Sequence, residues 1–156
     1  MAERRKPTAI LIADDDPEDR MLMQDAFLES RLTYDLHFVE DGEELMDYLY
    51  RRGYYADPRS SPRPAIILLD LNMPRKDGRE ALREIKSNPE LRQIPILMLS
   101  TSRAEDDIFH SYDLGVNSFI PKPVTFGAMV ELIKMLRKYW FEIVELPSID
   151  GRSRNG

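Results

Sequence analysis

Short apolar runs punctuate the chain, and each is followed by a longer stretch whose apolar residues recur at helical spacing. Ala9–Ala13, Ala65–Leu69 and Ile94–Leu99 are nearly continuous runs, the pattern of strands buried on both faces of a sheet. Tyr34–Val39 alternates Asp35 and His37 with Leu36 and Phe38, which suits a half-exposed edge strand. Asn117–Ile120 is a fifth short strand, before Pro121-Lys122-Pro123. Pro17 to Leu28, Gly42 to Arg52, Gly78 to Ser87, Ala104 to Leu114 and Thr125 to about Trp140 read as helices. Asp16 is placed to cap the first of these, with Pro17 at its first position. Asn88-Pro89 stops the third, and Gly115 closes the fourth. Strand and helix alternate five times, which predicts an α/β fold: a flavodoxin-like, doubly wound (βα)5 with a five-stranded parallel sheet in the order 2-1-3-4-5. That order puts the weak second strand at an edge.

Residues 8–140 are expected to form one domain, preceded by a flexible segment (1–7) and followed by an arm (141–147) and a disordered tail (148–156). The stretch 53–64, with Gly53, Pro58, Ser60, Ser61, Pro62 and Pro64, reads as a loop that is long for a compact domain. The sequence has 156 residues, enough for one proper core. Cysteine is absent, which removes disulfides, thiolate metal sites and Cys nucleophiles. A net charge of −6 argues against nonspecific nucleic-acid binding, which relies on basic patches; the cluster Arg4-Arg5-Lys6 is short and terminal. No apolar run approaches the ~18 residues of a membrane span, and no signal-peptide core follows the basic start. The expectation is a soluble, cytoplasmic protein with neither nucleic-acid nor membrane partners.

The strand ends carry the chemistry. The first ends in Asp14 and Asp15, the third in Asp70, the fourth in Ser100 and Thr101, and the fifth in Lys122. In a parallel sheet these groups meet at one edge, where ligands of open α/β sheets bind. Carboxylates packed together repel and call for a cation. Mg²⁺ suits them, as a hard ion held by one or two carboxylates together with water and phosphate oxygens. An Asp carboxylate can attack phosphorus, and a metal and a Lys can neutralise the transferring oxygens. The set matches phosphoryl transfer onto Asp70.

In order along the chain stand an acidic pair, Asp-x-Asn-x-Pro (Asp70, Asn72, Pro74) followed by Gly78, a hydroxyl at Ser100, and Lys122-Pro123. On these the chain resembles the receiver domains of two-component response regulators over about residues 8–140. The resemblance implies that Asp70 takes a phosphoryl group from a histidine kinase and becomes an aspartyl phosphate. It implies that Asp15, Asp70 and the Asn72 carbonyl bind Mg²⁺, with Asp14 acting through water. Ser100 and Lys122 would contact the phosphate, and Phe119 would switch rotamer with Ser100. It also implies a cis Lys122–Pro123 bond. The 53–64 insertion, together with Trp140, Phe141, Ile143, Val144, Leu146 and Pro147, is similar to the single-domain regulators that partner cyanobacterial and bacterial phytochromes. Output would then come from a change of surface or of a dimer, or from passing the phosphoryl group to a histidine phosphotransfer partner.

A rival resemblance is to haloacid-dehalogenase-type phosphatases, whose Asp-x-Asp opening Asp14 and Asp16 would supply. Against it, Glu18 stands where Thr or Val is usual, and nothing after Lys122 supplies their late acidic pair. On the last helix Phe126, Met129, Val130, Ile133 and Leu136 form a core stripe, and Leu132, Met135 and Tyr139 a second one beside it. A second stripe often marks an interface, the alternative being that the tail folds back over it within one subunit. The interface reading predicts a symmetric dimer through the fourth helix, the fifth strand, the last helix and the arm, using Leu132, Met135, Tyr139, Trp140, Phe141, Ile143 and Leu146. His37 and His110 stand apart from every motif and read as surface residues of a strand and a helix.

Overall fold

The computed structural model describes residues 8–30, 34–71, 73–100 and 118–138, with the backbone alone for 100, 118 and 119. The elements run β1 (Thr8–Ala13), α1 (Pro17–Glu29), β2 (Tyr34–Val39), α2 (Gly42–Tyr50), a 3-10 helix (Gly53–Tyr55), β3 (Ile66–Asp70), α3 (Gly78–Lys86), β4 (Ile96–Ser100), β5 (Ser118–Pro121) and α4 (Phe126–Leu136). The five strands form one parallel sheet in the order β2-β1-β3-β4-β5. The expected order is therefore observed, with β2 at an edge. The expected helix at Ala104–Leu114 and its cap Gly115 lie outside the described residues.

Side-chain alternation along the inner strands divides the core in two. Leu11, Ala13, Ile67, Leu69, Ile96 and Met98 face α2 and α3, where Leu45, Met46, Ala81, Leu82 and Ile85 cover them. Ile10, Ile12, Ile66, Leu68, Leu97 and Leu99 face α1 and α4. Helix starts follow from local chemistry. Asp16 accepts from the Glu18 N–H at 2.9 Å, with Pro17 at the first position. Asp41 accepts from Glu44 at 2.8 Å, and Asp77 and Glu80 form a reciprocal capping box. Thr125 accepts from Ala128 at 3.1 Å.

Three expectations are corrected. Leu132 does not lie on a free stripe: it is buried in the cluster with Met23 and Phe27. Helix α1 packs along α4 and supplies Met23, Ala26 and Phe27 to that cluster, so Leu132 is buried within one chain. Phe126, expected in the core, is 41% exposed, because it stands in the first turn ahead of the buried stripe. The Lys122–Pro123 bond is trans, since no described peptide bond is cis; the X–Pro amide prefers trans by only ≈0.5–1 kcal/mol, and in that isomer Lys122 already reaches its carboxylate partners. Met135, also expected in the dimer, is 53% exposed. The other expected dimer residues, Tyr139, Trp140, Phe141, Ile143 and Leu146, lie outside the described residues. The 53–64 stretch folds onto α2. Tyr55 packs against the core with its hydroxyl on Glu44, and Tyr48 donates to the Pro62 carbonyl at 2.8 Å. His37 lies partly buried on β2, its Nε2 3.0 Å from Asp35.

Candidate phosphoacceptor and metal site

The C-terminal ends of β1 and β3 are adjacent in register, Ala13 opposite Leu69. Their next residues, Asp14 and Asp70, therefore emerge side by side at the sheet edge. Carboxylate oxygens of Asp14, Asp15 and Asp70 all lie within 4.8 Å of one another. Asp14 and Asp70 are 1% and 7% exposed, whereas Asp15 is exposed. An all-oxygen set of two buried carboxylates and one exposed one fits a hard divalent cation. Backbone contacts fix the edge. The Asp14 N–H donates to the Val39 carbonyl, and the Asp16 N–H to Asp14 Oδ1, both at 3.0 Å. Arg20 of α1 donates to the Asp14 carbonyl at 2.7 Å.

β5 delivers the counter-charge. Lys122 Nζ stands 2.7 Å from Asp14 Oδ2, 2.7 Å from Asp19 Oδ2 and 3.4 Å from Asp70 Oδ2, with its side chain only 7% exposed. Burial by itself would lower the ammonium's pKa, but the contacts with Asp14 and Asp19, and the nearby Asp70, outweigh it and hold the pKa above the ordinary lysine value. Burial likewise raises Asp14 above the usual carboxylate range, against the opposing effects of Lys122 and the Asp16 N–H.

The loop after Asp70 is clamped at both ends. The Gly78 N–H donates back to the Leu71 carbonyl at 2.9 Å, and the Leu71 N–H to the Leu99 carbonyl at 3.1 Å. Lys76 pairs with Glu84 at 2.5 Å, which also accepts from the Tyr50 hydroxyl at 2.9 Å. Arg75 adopts a left-handed backbone (φ 65°) near Asp41 and Glu43. A Cβ on Gly42 would sit 2.0 Å from the Lys76 carbonyl oxygen, so only glycine lets the loop lie on the start of α2.

The structure thus brings together Asp14, Asp15, Asp70 and Lys122, four of the residues singled out from sequence. Ser100 closes β4 beside β3, and Phe119 lies within β5 opposite Met98, both placed by backbone alone. Asn72 lies outside the described residues. Asp19 is a member of the site that sequence reasoning missed. In sequence it is simply an acid in the first turn of α1, where acids favour the helix dipole.

Comparison with known proteins supports the same reading. Residues 10–134 match the model of the response regulator receiver domain. Response regulator Rcp1 of Synechocystis sp. is 40% identical, over 94% of this chain and 97% of its own. The solved structure of the phosphorylated cyanobacterial phytochrome response regulator RcpA is 44% identical, with a TM-score of 0.84 over 92% of this chain and all of that one. Response regulator RPA3017, in red light signalling of R. palustris, is 37% identical, with a TM-score of 0.85 over 90% of this chain and 99% of its own. A structure of Rcp1 is of its Mn²⁺-bound form, with 40% identity and a TM-score of 0.81 over 91% of this chain and 100% of that one. With its sheet order, its carboxylate cluster and the matched span all in agreement, the chain belongs to the response regulator receiver domains.

Proposed function

We propose that Asp70 is the phosphoacceptor, that Mg²⁺ is the working cation of the Asp14–Asp15–Asp70 cluster, and that the phosphodonor is a histidine kinase of the phytochrome kind. The observation that carries the first part is the position of Asp70. It is a nearly buried carboxylate at the end of a central strand, with an ammonium 3.4 Å away and two further carboxylates within 4.8 Å. In the transfer, an Asp70 carboxylate oxygen attacks phosphorus and the bond from phosphorus to the donor's imidazole nitrogen breaks. The imidazole leaves with the electron pair, and an acyl phosphate forms on Asp70. Bound Mg²⁺ would supply charge neutralisation at the transferring oxygens. Lys122 offers a second cation at the same place, and Ser100, at the neighbouring strand end, a hydroxyl donor. The fixed loop after Asp70 holds the nucleophile against displacement.

The choice of kinase rests on RcpA, a phytochrome response regulator, and on RPA3017, which acts in red light signalling. Incubation with a small acyl or amido phosphodonor and Mg²⁺, followed by intact mass measurement, tests the chemistry. One added phosphoryl group is expected, dependent on Mg²⁺ and absent in Asp70→Asn. Addition that survives Asp70→Asn would refute the assignment.

A further inference from the structure

Lys122 binds two kinds of carboxylate. Asp14 and Asp70 belong to the cluster that fits a cation, while Asp19 lies outside it, on the first turn of α1. All three reach one ammonium, Asp14 and Asp19 at 2.7 Å and Asp70 at 3.4 Å. A divalent cation among Asp14, Asp15 and Asp70 would sit beside that ammonium and repel it, and would draw off the two carboxylates that now hold it. Asp19 is the partner that remains. Its side chain is 32% exposed, against 1% for Asp14 and 9% for Asp70, so it marks the solvent-facing side of Lys122.

We propose that Asp19 is a positioning residue, retaining the Lys122 ammonium at the rim of the carboxylate cluster so that a divalent cation can enter without expelling it. The proposal rests on the metal and acceptor reading above and adds a residue to it. Without Asp19, the ammonium has only the carboxylates the cation needs, and lysine and metal compete for them directly. With it, the two cations occupy the site together, one on the buried carboxylates and one on the rim beside Asp70. Arg20 supports this arrangement by holding the start of α1 to the Asp14 carbonyl at 2.7 Å.

The test is Mg²⁺ titration by calorimetry on the full chain and on Asp19→Asn, Asp19→Glu and Glu18→Gln, with NMR of the Lys122 ammonium in the presence and absence of Mg²⁺. Glu18 is the exposed neighbour of Asp19 and removes the same charge. Asp19→Asn is expected to weaken Mg²⁺ binding by about fivefold or more, the lower end of typical coupling between two sites. Glu18→Gln, a change of exposed and screened charge, is expected to stay within about twofold. The slowly exchanging Lys122 ammonium signal should persist with Mg²⁺ in the native protein and in Asp19→Glu, and disappear in Asp19→Asn. Equal weakening in Asp19→Asn and Glu18→Gln would reduce the effect to net charge and overturn the proposal. So would an ammonium signal that persists in Asp19→Asn with Mg²⁺. Unaltered affinity in Asp19→Asn beside normal native binding overturns this proposal alone, whereas a native protein that takes up no Mg²⁺ overturns the metal reading and the proposal with it.

Discussion

Gly78 offers a sharp test of how tightly the acceptor is held, because the same substitution elsewhere should act with the opposite sign. A Cβ at residue 78 would lie 2.5 Å from the Asp70 carbonyl oxygen and 2.8 Å from the Leu71 Cα. Both are main-chain atoms at the end of a central strand, so no flexible side chain can yield. The overlap is roughly half an ångström beyond the 3.0 Å that real Cβ atoms respect. Overpacking of this kind costs typically about 1–3 kcal/mol. Replacing Gly by Ala in a helix returns at most about 1 kcal/mol, and less in the first turn. Gly78→Ala should therefore destabilise by roughly 1–2 kcal/mol, a fall of about 3–6 °C in Tm for a chain of this size. Gly127, also early in a helix (α4), has nothing within 4 Å of its Cβ position, and Gly127→Ala should gain a few tenths to about 1 kcal/mol. Urea unfolding of both variants reads the two signs. Relief of the overlap by moving the end of β3 would also displace Asp70, so Gly78→Ala should be phosphorylated more slowly, while Gly127→Ala should match the native rate. A Gly78→Ala protein as stable and as reactive as the native one would refute the close approach.

Other consequences can be checked with the same assays. Leu132→Ala should cost about 2–5 kcal/mol, as a truncation in a packed core, whereas Met135→Ala, at a half-exposed position, should change monomer stability by less than about 0.5 kcal/mol; equal costs would contradict the placement of the α4 face. Lys122→Met leaves the buried Asp14 carboxylate without its ammonium and should destabilise the metal-free protein by about 3–5 kcal/mol. Mg²⁺ should then raise its Tm more than it raises that of the native protein. Burial, with Asp35 for Tyr48 and Glu44 for Tyr55 as further causes, holds both phenols above the ordinary tyrosine value. A group whose folded-state pKa is raised contributes stability that is complete below its unfolded pKa and lost as pH rises through the folded one. The urea midpoint should therefore fall above about pH 10, the unfolded tyrosine value, and phenolate absorbance should show the two residues titrating late.

The parts of this molecule that were legible in its sequence are those in which one residue type meets one physical demand. Ile66–Leu69 is apolar throughout because both of its faces are covered, and Asp70 breaks the run where the strand leaves the core. The same logic marks Asp14 and, through Pro121-Lys122-Pro123, Lys122. Asp19 was hidden because a first-turn acid already has a local explanation, and its contact with Lys122 joins opposite ends of the chain. Leu132 misled because an apolar arc on a helix reveals that it is covered but not by what; here it shares a buried cluster with Met23 and Phe27 of α1. Tyr55 lay in a Pro- and Ser-rich stretch that reads as loop, yet its ring packs on the core and its hydroxyl meets Glu44. The isomer of Lys122–Pro123 could not be read from residue type, because the tertiary amide leaves cis and trans close in energy.

Asp70, and no neighbouring carboxylate, is expected to become the acyl phosphate. Borohydride reduction of the phosphorylated protein converts an aspartyl phosphate to homoserine, which peptide mass spectrometry locates. Homoserine is expected at position 70 alone, formed only when Mg²⁺ was present during phosphorylation. Homoserine at position 14 or 15, or none in a protein that has gained a phosphoryl group, would contradict it.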